Sequence, residues 1–205
     1  MSEIDRYPGE TEDILKKIEE AGEVEEKDTR LLRLDMLYNT YLRELMTRES
    51  LECLKNKGFC TAPASTKYHG NYAGGLFDHS YRVAMSLIKL TDKLDLKWER
   101  PESPVIVGLL HDLCKIDQYE YKQDEDCYVW SNKATIKGHG VKSAVYIQQY
   151  LHIDLTEEEL ACIAYHMGAF SPKEEWADYT NAIHKYPNVL WTHTADMCAS
   201  HIYNV

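Results

Sequence analysis

Residues 109–117 read LLHDLCKID, a run that sets His111 beside Asp112 and places Lys115 one turn later. An imidazole, a carboxylate and an ammonium among leucines are costly in a core unless something compensates them. On a helical wheel with Ile106 at zero, Leu109, Leu110 and Leu113 fall within roughly 60° of it, whereas Gly108, His111, Asp112 and Lys115 fill an opposite wedge of about 100°. A solvated face would be larger and more varied, and the glycine leaves the backbone approachable. Adjacent residues do not normally face each other on a helix, yet both can reach an ion lying close over the helix between them. The pair then offers a cation one nitrogen and one oxygen from a stiff element. Two ligands make a poor metal site, so the other histidines are the test.

The chain has nine histidines. His79 lies three residues past Leu76, at the inner edge of an apolar helical stripe that continues through Val83, Leu87 and Leu90. His139 sits between two glycines at a helix start in IKGHGV, and His166 closes the helix of EEELACIAYHMG just before Gly168. Asp196 occurs in HTADMCAS, among small residues that permit close helix packing. Taken singly, each reads as a packed or capping residue. Taken together, four helices present a His or an Asp at a core-facing or terminal position, alongside the His111–Asp112 pair. His152, His184, His193 and His201 read as structural.

The elements that must position these residues are mostly helices. Residues 11–57 form a charged helical region: one helix opens at Thr11, and a second, from about Thr29, carries Leu31, Leu34, Leu37, Tyr38, Tyr41, Leu42 and Leu45 at helical spacing. Its apolar stripes suit either a cover over the rest of the chain or a homodimer contact. Gly58 ends this region, which divides the chain into an N-terminal helical extension (1–57) and a main domain (58–205). The loop CTAPASTKYHGNYAGG leads into the His79 helix, which begins near Leu76, and the LLHDLCKID helix begins after Pro104. Aromatic and β-branched residues flank the polar turn QDED in residues 119–133, the pattern of a β-hairpin. A helix follows from about Gly140 to His152. Thr156 and Glu159 form a capping box opening another that runs to Gly168. After a loop containing Pro172 comes a last helix, roughly Val189 to Ile202. The fold class is all-α with a small β-hairpin insertion.

The order His79, His111-Asp112, His139, His166, Asp196, with the flanks GGLFDHSYRVA, LLHDLCKID, IKGHGV, AYHMG and HTADMCAS, resembles the HD-domain superfamily of metal-dependent phosphohydrolases over roughly residues 60–205. Among its branches it looks most like the HD domains of 3′-to-5′ exoribonucleases, and then the cyclic-di-GMP phosphodiesterases. The histidine pair that often precedes the glycine in the exoribonuclease branch stands here as Tyr165-His166. The resemblance implies an HD-domain helical bundle whose core holds one or two divalent ions, with two favoured. Asp112 would bridge them, with His111, His79 and Asp196 completing one site and His139 and His166 the other.

Four imidazoles and two carboxylates suit Mn, Fe, Ni, Co or Zn better than the all-oxygen preferences of Mg and Ca. Two ions about 3.5–4 Å apart can hold a hydroxide nucleophile and stabilise the entering and leaving oxygens of a phosphoester. Asp112 or Asp196 could take a proton. Lys115 is placed to neutralise a phosphoryl oxygen, and Arg82, three residues beyond His79, could do the same. In the loop before the His79 helix, Lys67, Tyr68, His69, Asn71 and Tyr72 could line the pocket mouth; there His69 and Asn71 are candidate substrate contacts, since ring and amide groups can stack on or hydrogen-bond a base. The expected activity is hydrolysis of a phosphoester in a nucleotide, a cyclic nucleotide or an RNA 3′ end. A di-iron oxygenase of the same fold and a nucleotide-binding regulatory module are the alternatives.

Composition bounds the partners. The 205 residues are 44% hydrophobic and 28% charged, and the formal net charge is −11. That charge argues against coating long nucleic acid, which is driven by Lys and Arg contacts to phosphate, and leaves a small phosphorylated substrate as the expected partner. No apolar run approaches the roughly 20 residues that span a bilayer, so no membrane contact is expected. The N-terminus lacks the pattern of a signal peptide. The six cysteines (53, 60, 114, 127, 162 and 198) include no CxxC pair. They read as reduced, mostly buried thiols of a cytoplasmic protein without a structural zinc finger.

Overall fold

Apolar stripes at helical spacing need a partner face, and eight α-helices among the described residues satisfy one another around an apolar core. A computed structural model describes residues 27–132 and 138–205; the helix expected from Thr11 lies outside the described residues. In chain order the helices are α1 (Lys27–Leu37), α2 (Arg48–Asn56), α3 (Gly75–Leu94), α4 (Ser103–Leu110), α5 (His139–Tyr146), α6 (Glu157–Ala164), α7 (Trp176–Lys185) and α8 (Asn188–Cys198). Wider π-type turns extend α1, α5 and α8, over Tyr38–Leu42, Ile147–Leu151 and Ala199–Tyr203. The β-hairpin forms as expected, with β1 (Tyr119–Lys122) antiparallel to β2 (Cys127–Trp130) and Tyr121 opposite Tyr128. Among the described residues no helix is long and apolar enough to cross a membrane.

Helix α4 is the axis of the bundle and packs against α3, α6 and α8. Every residue from Ser103 to Lys115 is buried, the polar wedge of Gly108, His111, Asp112 and Lys115 as well as the leucine side. Pro104 sits in its first turn, where a missing N–H costs nothing. The α-helix stops at Leu110; Asp112 takes φ −107° and ψ 19°, and a 3₁₀ turn runs over Leu113–Asp117. The continuous LLHDLCKID helix is thus replaced by a break between His111 and Leu113. Tertiary bonds hold it: Ser143 Oγ accepts from the Cys114 N–H at 3.1 Å, and Asp117 accepts from Lys142 at 2.6 Å and from Tyr146 at 2.5 Å.

Gly108 serves helix packing. A Cβ there would meet the Ala84 backbone of α3, with Cα at 2.4 Å and N at 2.6 Å. The approachable backbone is therefore occupied by α3, which brings His79 and His111 onto neighbouring helices at close range. Gly108→Ala should cost about 3 kcal/mol, the upper end of ordinary overpacking, because backbone cannot yield as a side-chain tip can. In a protein of this size that lowers Tm by roughly 6–12 °C, measurable by thermal denaturation; an unchanged Tm would show that α3 and α4 can separate at no cost.

The capping box at Thr156 and Glu159 is present in full, and Glu159 does more than cap. Its carboxylate also accepts from Arg100 at 2.7 and 2.6 Å and from Ser103 Oγ at 2.8 Å, tying α6 to the start of α4. Helix α6 ends at Ala164 rather than Gly168. Helix α7, absent from the sequence reading, follows the Pro172 loop. On the N-terminal side, Arg30 of α1 makes a paired contact with Asp78 at 2.8 and 2.7 Å, one residue before His79.

Candidate metal centre

Four helices and the break after α4 bring His79, His111, Asp112, His139, His166 and Asp196 together. His79 Nε2 lies 3.2 Å from His111 Nε2, 3.2 Å from Asp196 Oδ1 and 3.7 Å from Asp112 Oδ2. The other Asp112 oxygen, Oδ1, faces His166 Nε2 at 3.5 Å and His139 Nδ1 at 4.0 Å. Close approach makes this second half possible: a Cβ on Gly140 would meet the Ile163 carbonyl at 2.2 Å, so the start of α5 lies on the end of α6 and His139 comes beside His166. Side-chain exposure is 0% for His79, His111 and His166, 4% for Asp112, 13% for Asp196 and 33% for His139. The cluster is therefore reached from the His139 side.

The imidazoles are oriented by backbone. Nδ1 of His79, His111 and His166 lies 3.0, 2.9 and 2.7 Å from the backbone oxygens of Val205, Gly108 and Ile163. A carbonyl only accepts, so each Nδ1 carries the proton and each Nε2 turns a lone pair inward. Such backbone partners fix the tautomer of metal-ligating histidines. Two inward lone pairs, on His79 and His111, then face each other at 3.2 Å, an arrangement a cation satisfies and a second neutral ring does not. Asp112 Oδ1 and His166 Nε2 are moreover buried without a hydrogen-bond partner. Leaving such groups unpaired costs about 1–3 kcal/mol each. Three overlapping sets of donors lie within 4.8 Å of one another: His79–His111–Asp112, His111–His166–Asp196 and Asp112–Cys114–His139. The residues fit a divalent-metal centre.

Charge in the cluster is divided between carboxylates and one ammonium. Burial pushes Asp112 up, but Lys115 and the imidazoles of His111 and His166 overcome it and hold the carboxyl well below the usual range. Asp196 is likewise held low, burial being outweighed by His79 and its neighbours. Lys115 is 8% exposed with Nζ 2.6 Å from Asp112 Oδ2; burial disfavours its charge, and Asp112 more than restores it.

Burial lowers His111 from 6.5 to about 4. The unfolded chain then binds the extra proton between those values, so stability falls as pH drops from about 6.5 toward 4. Burial moves His69 (also to about 4) and His139 in the same direction, while His166 moves upward, burial being overcome by Asp112. The metal-free protein should therefore lose stability between pH 7 and pH 5, by about 2 kcal/mol from His111 alone, read as a falling urea midpoint. A midpoint that rises on acidification would mean that the buried rings are protonated in the folded state.

The remaining candidates divide. His69 packs against His79 with ring centroids 4.9 Å apart and planes tilted by 34°, and its Nε2 is buried without a hydrogen-bond partner. Asn71 lies outside the cluster, lining a cavity of about 400 Å³ between its loop and the hairpin together with Thr66, Tyr72, Tyr121 and Tyr128. Arg82 sits over the Tyr203 ring at 4.5 Å. Of the exposed loop residues, Tyr68 is 80% exposed. Two further residues border the cluster, although the sequence assigns them no part in it: His193, read as structural, and Cys114, read as a buried thiol. His193 Nδ1 lies 2.9 Å from the His166 carbonyl and steadies that corner. Cys114 Sγ lies 3.7 Å from His139 Nδ1; only the 25-residue return of α5 brings them together, so no local spacing signals the pair.

The HD-domain family model matches residues 76–196, more than half of the chain and the stretch from the start of α3 to Asp196. Searches of curated proteins and of solved structures found no match.

Proposed function

The chain belongs to the HD-domain family, part of the metal-dependent phosphohydrolase superfamily, and from that premise we propose that it hydrolyses a phosphoester of a nucleotide, a cyclic nucleotide or an RNA 3′ end. One observation carries the reading: inward lone pairs of three buried imidazoles and two carboxylates converge beside the buried ammonium of Lys115. Divalent ions held by His79, His111, Asp112 and Asp196, and by Asp112, His139 and His166, would supply Lewis-acid polarisation of phosphoryl oxygen and an activated water. The protein's own residues do the rest. Lys115, kept charged, donates to a non-bridging oxygen. The backbone-anchored rings hold their nitrogens in place, so little reorganisation accompanies the reaction. His69, packed on His79, limits water around that ring. The net charge of −11 favours a small substrate over a long polyanion.

The test is a panel of nucleoside phosphates, cyclic nucleotides and short oligoribonucleotides, offered to protein loaded with Mn, Fe, Co or Zn, with released phosphate or nucleoside as readout. Turnover confined to one ester class would name the substrate. Metal-loaded protein that hydrolyses none of them would overturn the reading, and oxygen consumption by an iron-loaded sample would then point to oxygenase chemistry on the same ligands.

A further inference from the structure

The second half of the centre, where Asp112 Oδ1 faces His139 and His166, contains a donor outside the histidine and carboxylate set. Cys114 is fully buried on the 3₁₀ turn, two residues after Asp112, with its backbone N–H held by Ser143. Its sulfur is 3.7 Å from His139 Nδ1, and sulfur, nitrogen and the Asp112 oxygen all lie within 4.8 Å of one another. The third donor, Asp112 Oδ1, is buried with no hydrogen-bond partner, as is His166 Nε2 facing that same oxygen.

The pair is within reach of a direct hydrogen bond, and its separation also matches that of two ligands of one ion. Bonds of about 2.3 Å to sulfur and about 2.0 Å to nitrogen at a tetrahedral angle put those two ligand atoms roughly 3.5 Å apart. The observed 3.7 Å is close to that separation, and the 3.5 Å between His166 Nε2 and Asp112 Oδ1 is also near the nitrogen–oxygen value. We infer that Cys114 is a ligand of the second ion, so that this half of the centre is a thiolate, imidazole and carboxylate site. The inference rests on the metal-dependent reading above and adds a residue to it. On binding, the thiol proton leaves to solvent and the sulfur coordinates as thiolate. A soft donor turns the site toward Zn, Co or Fe and away from Mn, while the half built from His79, His111 and Asp196 keeps only nitrogen and oxygen.

Cobalt substitution of the full chain reads this directly. Titration with Co(II) should produce a near-ultraviolet thiolate-to-cobalt charge-transfer band, and Cys114→Ser should lose that band while still binding cobalt at the nitrogen and oxygen half. X-ray absorption of the zinc-loaded wild-type protein gives a reading that needs no variant: a sulfur shell at about 2.3 Å. Bound cobalt without the band, a band that survives in Cys114→Ser, or zinc with nitrogen and oxygen neighbours alone would overturn the assignment and leave the phosphohydrolase reading standing. A wild-type protein that binds neither metal would overturn both.

Discussion

Asp112→Ala is expected to empty the whole centre. Asp112 presents Oδ2 to His79 and His111, at 3.7 and 3.5 Å, and Oδ1 to His139 and His166, at 4.0 and 3.5 Å. One of its oxygens thus serves each half, so its removal takes a ligand from both sets. Changes to groups that merely orient ligands cost 10–100-fold in metal affinity, and loss of the shared ligand should exceed about 100-fold for each ion. Elemental analysis of the dialysed variant measures this. The same substitution also strands the buried Lys115 ammonium, 2.6 Å from the lost oxygen. Breaking a buried pair from one side costs about 3–5 kcal/mol, so the metal-free variant should be less stable than metal-free wild type. Adding Lys115→Met should recover most of that stability and none of the metal. Wild-type metal content in Asp112→Ala, or a double variant no more stable than the single one, would mean that Asp112 does not hold the two halves together.

The legible and the illegible parts of this site differ for physical reasons. Singly, His79, His139, His166 and Asp196 look like packed or capping residues; they are legible only jointly, as ionisable groups at core-facing or terminal positions of several helices beside the His111–Asp112 pair, in the order that resembles HD domains. The capping box and the hairpin were visible because their signals are local: Thr156 and Glu159 are one turn apart, and QDED lies between two alternating strands. The break after Leu110 was not visible. No glycine or proline marks it, and its supports come from Ser143, Lys142 and Tyr146 on a later helix. It matters because residues adjacent on a continuous helix point about 100° apart, whereas at the break both His111 and Asp112 turn inward. Helix α7 escaped although Tyr179, Ala182 and Ile183 share a face packed on the core: it is short, follows a proline loop and buries none of its residues fully. Cys114 was read with the other cysteines as a packed thiol, and that reading holds for its burial; its neighbour His139 is supplied by the tertiary fold alone.

Lys115→Met should separate metal binding from turnover. The ammonium sits on Asp112 Oδ2, the oxygen that also faces His79 and His111. A cation bound by those rings therefore competes with Lys115 for one oxygen. Without the ammonium, the carboxylate is fully available, so affinity at that half should stay equal or rise, even as the metal-free fold loses stability from an unpaired buried carboxylate. Catalysis should move the opposite way. Lys115 is a buried cation in direct contact with the cluster, and loss of one preorganised donor to developing charge typically costs 10²–10³ in kcat. The fall should appear in kcat and in kcat/KM together, the mark of an interaction made chiefly in the transition state. Isothermal titration with Zn or Mn and steady-state kinetics on the ester found in the panel give the two readouts. Loss of metal in Lys115→Met would make the residue a positioning group for Asp112. Unchanged turnover with metal retained would take it out of the reaction altogether, and would leave His139, the exposed edge of the cluster, as the place to seek the phosphate's partner.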